Sequence, residues 1–132
     1  MAAQFTLAPE TSEFDISLPV ATDLSAAQYL FVKLSSAKLV LSGADETAVG
    51  VLQNKPNGTT AVNAVGVVRT GGLTKLKVGT AWVSGDPISS DASGLGKPQT
   101  VDKKIAHGFA IGDASAANDI GLVKLGSFHT SL

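Results

Sequence analysis

Ala48-Val49-Gly50-Val51-Leu52-Gln53-Asn54, then Lys55-Pro56-Asn57-Gly58, decides how the rest of this 132-residue chain is read. A short β-type run ends in a turn: proline presets φ, and Asn-Gly tolerates positive φ. The pattern then repeats along residues 61–69, Gly71-Gly72, residues 73–78, Gly85-Asp86-Pro87 and Asp91-Ala92-Ser93-Gly94. Apolar runs of five to nine residues between such turns are strands, not helices. Gly66, inside the longest run, marks a bulge or a close backbone approach. In residues 73–78, Lys75 and Lys77 share the face opposite Leu76 and Val78.

The same reading extends outward. Residues 12–18 alternate, with Phe14, Ile16 and Leu18 on one side, until Pro19 ends the strand. Asp23 can cap a single helical turn. Residues 29–34 and 37–41 form a hairpin around Ser35-Ser36. Residues 93–99 read as loop. In residues 105–111, Ile105, His107, Phe109 and Ile111 fall on one face. Residues 119–125 are the last strand and 126–132 a frayed tail. No exact internal repeat is visible. The expected architecture is all-β: a small sandwich or barrel of about eight short strands with an extended N-terminal arm. Residues 1–11 are the arm, 12–126 the β domain and 127–132 the C-terminal tail.

Composition narrows function mostly by exclusion. Cysteine is absent, so there is no disulfide, thiolate metal site or thiol nucleophile. Ten basic residues stand against eleven acidic ones, without the basic excess of a nucleic-acid binder. No stretch approaches the ~20 apolar residues of a membrane span, and no secretory signal opens the chain. Charge is polarised, however. Residues 1–32 hold Glu10, Glu13, Asp15 and Asp23 and no base. Either this is an ordinary solvated edge, or an acidic arm meets a basic patch on a neighbouring subunit.

A search for chemistry returns little. Of two histidines, His107 sits on an apolar strand and reads as a core or interface residue; His129 is close to the C-terminus. No Gly-x-Ser-x-Gly elbow occurs, and two distant histidines do not make a zinc site. Asp86 and Asp91 lack the alternation of a calcium loop and read as Asx turns. Gly94-Leu95-Gly96-Lys97-Pro98 lacks the spacing of a phosphate loop. No cofactor or metal is expected. Trp82 reads as a core or subunit-contact residue.

Three segments resemble the capsid cement, or head decoration, proteins of tailed bacteriophages. They are residues 48–54 with the Val-rich run to Arg69; Leu76-Lys77-Val78-Gly79 leading through Val83-Ser84-Gly85-Asp86-Pro87-Ile88 to Gly94; and Ile105-Ala106-His107-Gly108-Phe109-Ala110 with Asp119-Ile120 and the strand to Leu125. Together they span roughly residues 30–125. In this chain residues 97–104 carry more charge than the family's usual alanine-rich loop. The resemblance implies a non-enzymatic protein on the outer surface of a phage head. It would bridge major capsid protein subunits, commonly as a homotrimer, with neither nucleic acid nor membrane as partner. Under it, Phe5, Leu7, Glu10, Glu13, Phe14 and Trp82 are the candidate subunit or capsid contacts. The competing expectations are a carbohydrate-binding or adhesion module displaying Trp82, and a small hydrolase working through carboxylates.

Overall fold

The computed structural model describes residues 14–58 and 64–131, and ten strands lie among them. They are β1 (Asp15–Pro19), β2 (Phe31–Ser35), β3 (Lys38–Leu41), β4 (Gly50–Leu52), β5 (Val65–Arg69), β6 (Gly72–Lys77), β7 (Pro87–Ser90), β8 (Gly96–Pro98), β9 (Ile105–Ala110) and β10 (Ile120–His129). The first five form one antiparallel sheet, in the order β1-β5-β4-β2-β3. The last five form a second, β6-β10-β9-β7-β8. The two orders are the same order. Each sheet also curls until its first and third strands meet at one parallel bridge, Val20 with Leu39 and Val78 with Gly96. The fold is thus two packed sheets, each curling towards closure.

The likeness between halves extends to single hydrogen bonds. Ala21 N donates to Leu39 O at 3.0 Å, and Gly79 N to Gly96 O at 2.8 Å. Tyr29 N donates to Leu52 O at 2.7 Å, and Gly85 N to Ala110 O at 2.8 Å. Gln53 N donates to Val67 O at 2.8 Å, and Ile111 N to Leu122 O at 2.9 Å. Left-handed backbone recurs at matching places: Tyr29 and Gly85, Ala37 and Gly94, Asp45 and Lys103. The chain therefore holds a structural repeat of roughly 55–60 residues, longer than the ~20–50 residues of common repeat families. The repeat resides in backbone geometry. Tyr29 and Gly85 do one job with unlike side chains.

Each half has its own core. In the first, Val20, Leu24, Val32, Leu39, Leu52 and Val68 cluster. In the second, Leu76, Val78, Trp82, Ile88 and Val123 cluster, joined by Phe31 and Val51 from the first sheet. Successive strand residues point to opposite faces. Hence Val32 and Leu52 fill the first core while Phe31 and Val51 cross into the second. That is why β4 is buried at all three positions. Burying Phe31 and Val51 contributes about 1.5–3 kcal/mol each. Phe31 N to Gly94 O and Lys77 N to Tyr29 O, both 2.8 Å, also tie the halves together.

Several expectations need correction. Residues 96–98 are a strand and not loop, paired with β7 at Ile88, Ser89 and Ser90. Asp23 caps no helix; its Oδ1 accepts the Ser25 N–H in a turn. The C-terminal segment is not a frayed tail. Strand β10 runs to His129, and the buried Thr130 donates through Oγ1 to Val101 O at 2.6 Å. The alternation of residues 105–111 holds along β9, where Ala106, Gly108 and Ala110 are the buried alternate positions, and the register shift between Ala106 and Gly108 falls on the partner strand β10. Gly126 and Ser127 of β10 together face His107, which is buried against Phe31 and the Glu46 carbonyl of the first half, while Phe109, two residues on, is exposed. Gly66 does make the close approach: a Cβ there would lie 2.7 Å from Leu39 Cδ1.

Candidate interaction surface

His107, Asp86 and Asp91 are engaged in holding the fold. His107 is 4% exposed and lies where the two halves meet, its ring centre 5.2 Å from that of Phe31. Its Nε2 is 3.1 Å from Glu46 O and 3.3 Å from the Ala48 N–H. Burial holds its pKa below the ordinary 6.5, against the opposing pull of the Glu46 carbonyl. Asp91 Oδ1 accepts the N–H groups of Ser93 and Leu95, and Asp86 Oδ2 accepts that of Val83. These are turn-making aspartates, as their spacing indicates. Among the described residues no three His, Asp or Glu side chains converge to hold a metal.

Trp82 is a core residue, only 3% exposed. Its Nε1–H donates to Gly112 O at 3.0 Å, and its ring fills the space left by Gly96 and Gly121. It is not displayed for a sugar or a neighbouring subunit. Phe14 is half exposed, its ring lying on Gly71 and Gly72 at the start of β6. Phe5, Leu7, Glu10 and Glu13 lie outside the described residues.

The feature that stands out is the outer face of β6, β10 and β9. Cross-strand pairing sets Leu73, Lys124, Phe109 and Pro87 in one row. Lys75 and Leu122 form the next, with Ile111 beside Leu122, and Lys77 with Ile120 the third. Leu73, Phe109 and Leu122 are 52%, 47% and 40% exposed. Phe128 stacks on Phe109 at 4.7 Å. A solvated face of an antiparallel sheet ordinarily alternates to polar side chains. Here apolar side chains and lysines cover it, and contiguous exposed apolar patches of this sort mark interaction sites. Spacing places Phe109 beside His107 on one face; they differ in exposure because Phe31, Glu46 and Ala48 of the first half cover His107 and not Phe109, which alternation alone does not reveal.

The matching rows of the first sheet behave differently. Register places Asp15, Arg69, Val51 and Phe31 where Leu73, Lys124, Phe109 and Pro87 stand in the second. Val51 and Phe31 are covered by the second half, and Arg69 Nε pairs with Asp15 Oδ1 at 2.8 Å. The Arg69 guanidinium holds the Asp15 carboxyl below its usual value. Lys124 has Leu73 where Arg69 has its acid. An open cleft of about 430 Å³ borders the face, lined by Ser25, Gln28, Tyr29, Lys55, Lys77 and Ile120. Lys75 Nζ sits 5.7 Å from the Tyr29 ring centre, within cation–π range.

Comparison with known proteins gives this surface a family. The model of the phage cement protein family matches residues 11–125. The chain belongs to the phage cement proteins. Its role is structural decoration of a phage capsid, and its place is the capsid of the virion. Among solved structures, the chain is similar to the N base of head fiber gp8.5 of bacteriophage phi29, at TM-score 0.67 and 10% identity. The alignment covers 85% of this cement protein and 92% of that chain. At that identity the likeness speaks for the fold. No curated protein matches.

Proposed function

We propose that this cement protein bridges adjacent major capsid protein subunits on the outside of the mature head, as a homotrimer and without catalysing a reaction. The observation that carries the reading is the apolar, lysine-bearing outer face of β6, β10 and β9, which lets copies associate into a body wide enough to span several capsid subunits, while the buried His107 and the turn aspartates are engaged in holding the fold. A bridging protein needs faces that bury area against protein. Each copy contributes modest affinity; many copies spanning several subunits give collective stabilisation, because the shell cannot expand without breaking their contacts together.

The test is direct. Purified chain is added to heads lacking it, and occupancy, site symmetry and rupture temperature are measured. Saturable binding over junctions between capsid subunits, three chains per site, with a higher rupture temperature, supports the reading. Binding without stabilisation removes the cement function. The carbohydrate-binding alternative required a displayed Trp82, and that ring is buried.

A further inference from the structure

We propose that the outer face of β6, β10 and β9 is the docking site for a second copy of this chain, which meets it with residues 1–13. The inference deepens the homo-oligomer reading and rests on it. Two independent observations point to this occupant. The first is the structural repeat. In the first half, the equivalent face is covered by another unit of the same fold, through Phe31 and Val51. In the second half, no second unit lies on the equivalent positions: Phe109 meets only Phe128 of its own sheet and stays half exposed, Pro87 is partly buried, and Leu122 and Leu73 around them are exposed. The chain thus carries two versions of one docking face and fills one of them itself.

The second observation is charge. Along the three rows stand Lys75, Lys77 and Lys124 and no acid, and no described carboxylate forms an ion pair with them. A two-fold contact of this face with itself would set lysine against lysine. The occupant must therefore be apolar and acidic, and the contact heterologous, of the kind that closes into a ring. Residues 1–32 contain acids and no base. Of those acids, Asp15 is held by Arg69, and Asp23 accepts the backbone N–H groups of Ser25 and Gly58. Glu10 and Glu13 remain, beside Phe5 and Leu7. Residues 1–13 thus combine carboxylates for the lysines with apolar side chains for Phe109 and Leu122. Extended, thirteen residues reach at most about 45 Å, enough to cross to a neighbouring body.

The chain has no cysteine, which makes the test clean. The full-length double variant L7C/L122C is oxidised, and its mass in denaturant, with and without reductant, is compared with the parent's; light scattering under native conditions gives the oligomer of each. Docking by a neighbour yields covalent multimers that collapse to the 13.3 kDa chain on reduction. A cross-link confined within one chain means the arm lies on its own face, and overturns the proposal; so does the absence of any cross-link. As a second arm, K75E/K77E/K124E loses the multimer, and adding E10K/E13K restores it. Loss without restoration contradicts the charge argument. These readouts need no capsid. Multimers that fail to bind heads would sink the capsid-bridging reading alone, whereas a monomer that binds heads would sink this proposal and the homotrimer with it, leaving capsid binding in place.

Discussion

Gly50 and Gly108 hold the same position in the two halves of the chain. A Cβ at Gly50 would run into the carbonyl oxygen of Arg69, and one at Gly108 into that of Lys124. Each glycine sits where its strand crosses a neighbour too closely for any side chain, in β4 against β5 and in β9 against β10. Alanine at either site must push a whole strand aside. G50A and G108A are each expected to cost about 1–3 kcal/mol, as overpacking does. Urea unfolding checks this: the midpoint falls while the slope holds. Gly112, where a Cβ meets nothing within 4 Å, is the control.

Trp82 tests the assignment of a core role. W82A removes the largest side chain of the second core and is expected to cost about 3–5 kcal/mol. W82F keeps most of the volume but leaves Gly112 O without its donor, a smaller loss of about 1–3 kcal/mol. Thermal unfolding of the two variants checks the order. A W82A protein as stable as the parent would mean that the ring is not buried.

His107 predicts a pH dependence. Its folded pKa lies below 6.5, so between that value and 6.5 the unfolded chain binds a proton that the folded chain refuses. Stability is therefore full above pH 6.5 and declines as pH falls below it. H107N should flatten that decline, measured as the urea midpoint from neutrality to about pH 5. An unchanged profile would place the titration elsewhere.

Asp15 predicts a separate, acid-side loss. Its pKa is lowered by Arg69, so its contribution is present above the ordinary 3.8 and vanishes as pH falls through the lower folded value. Both partners are about a third exposed, which keeps the pair's worth at or below about 1 kcal/mol. D15N should show that small loss at pH 7 and none in strong acid.

Most strands could be read from alternation and turn residues, because one buried face imposes a period of two. Ser36 and Ala37, both at positive φ, turn the hairpin one residue after Ser35-Ser36 marked it. What stayed hidden was of three kinds. The bulge at Gly126 and Ser127, opposite His107, shifts register without leaving a sequence mark. The strand at 96–98 is too short to show a period. The repeat rests on backbone hydrogen bonds whose side chains have diverged, as Leu39 and Gly96 show. Of the surface, the acid-only N-terminal stretch and the lysine pair of β6 were legible. That Phe109 and Leu122 share an uncovered face was not, since an exposed apolar strand face looks like a core face in sequence.

The central claim is that this chain decorates and strengthens a phage capsid. Cryo-electron microscopy of heads with and without it, each followed through a thermal ramp, tests that most directly. Extra density on the outer surface that fits the two-sheet body, together with a higher rupture temperature, is the expected result. Heads that contain the chain yet show no such density, and that rupture at the same temperature as heads without it, would contradict the account.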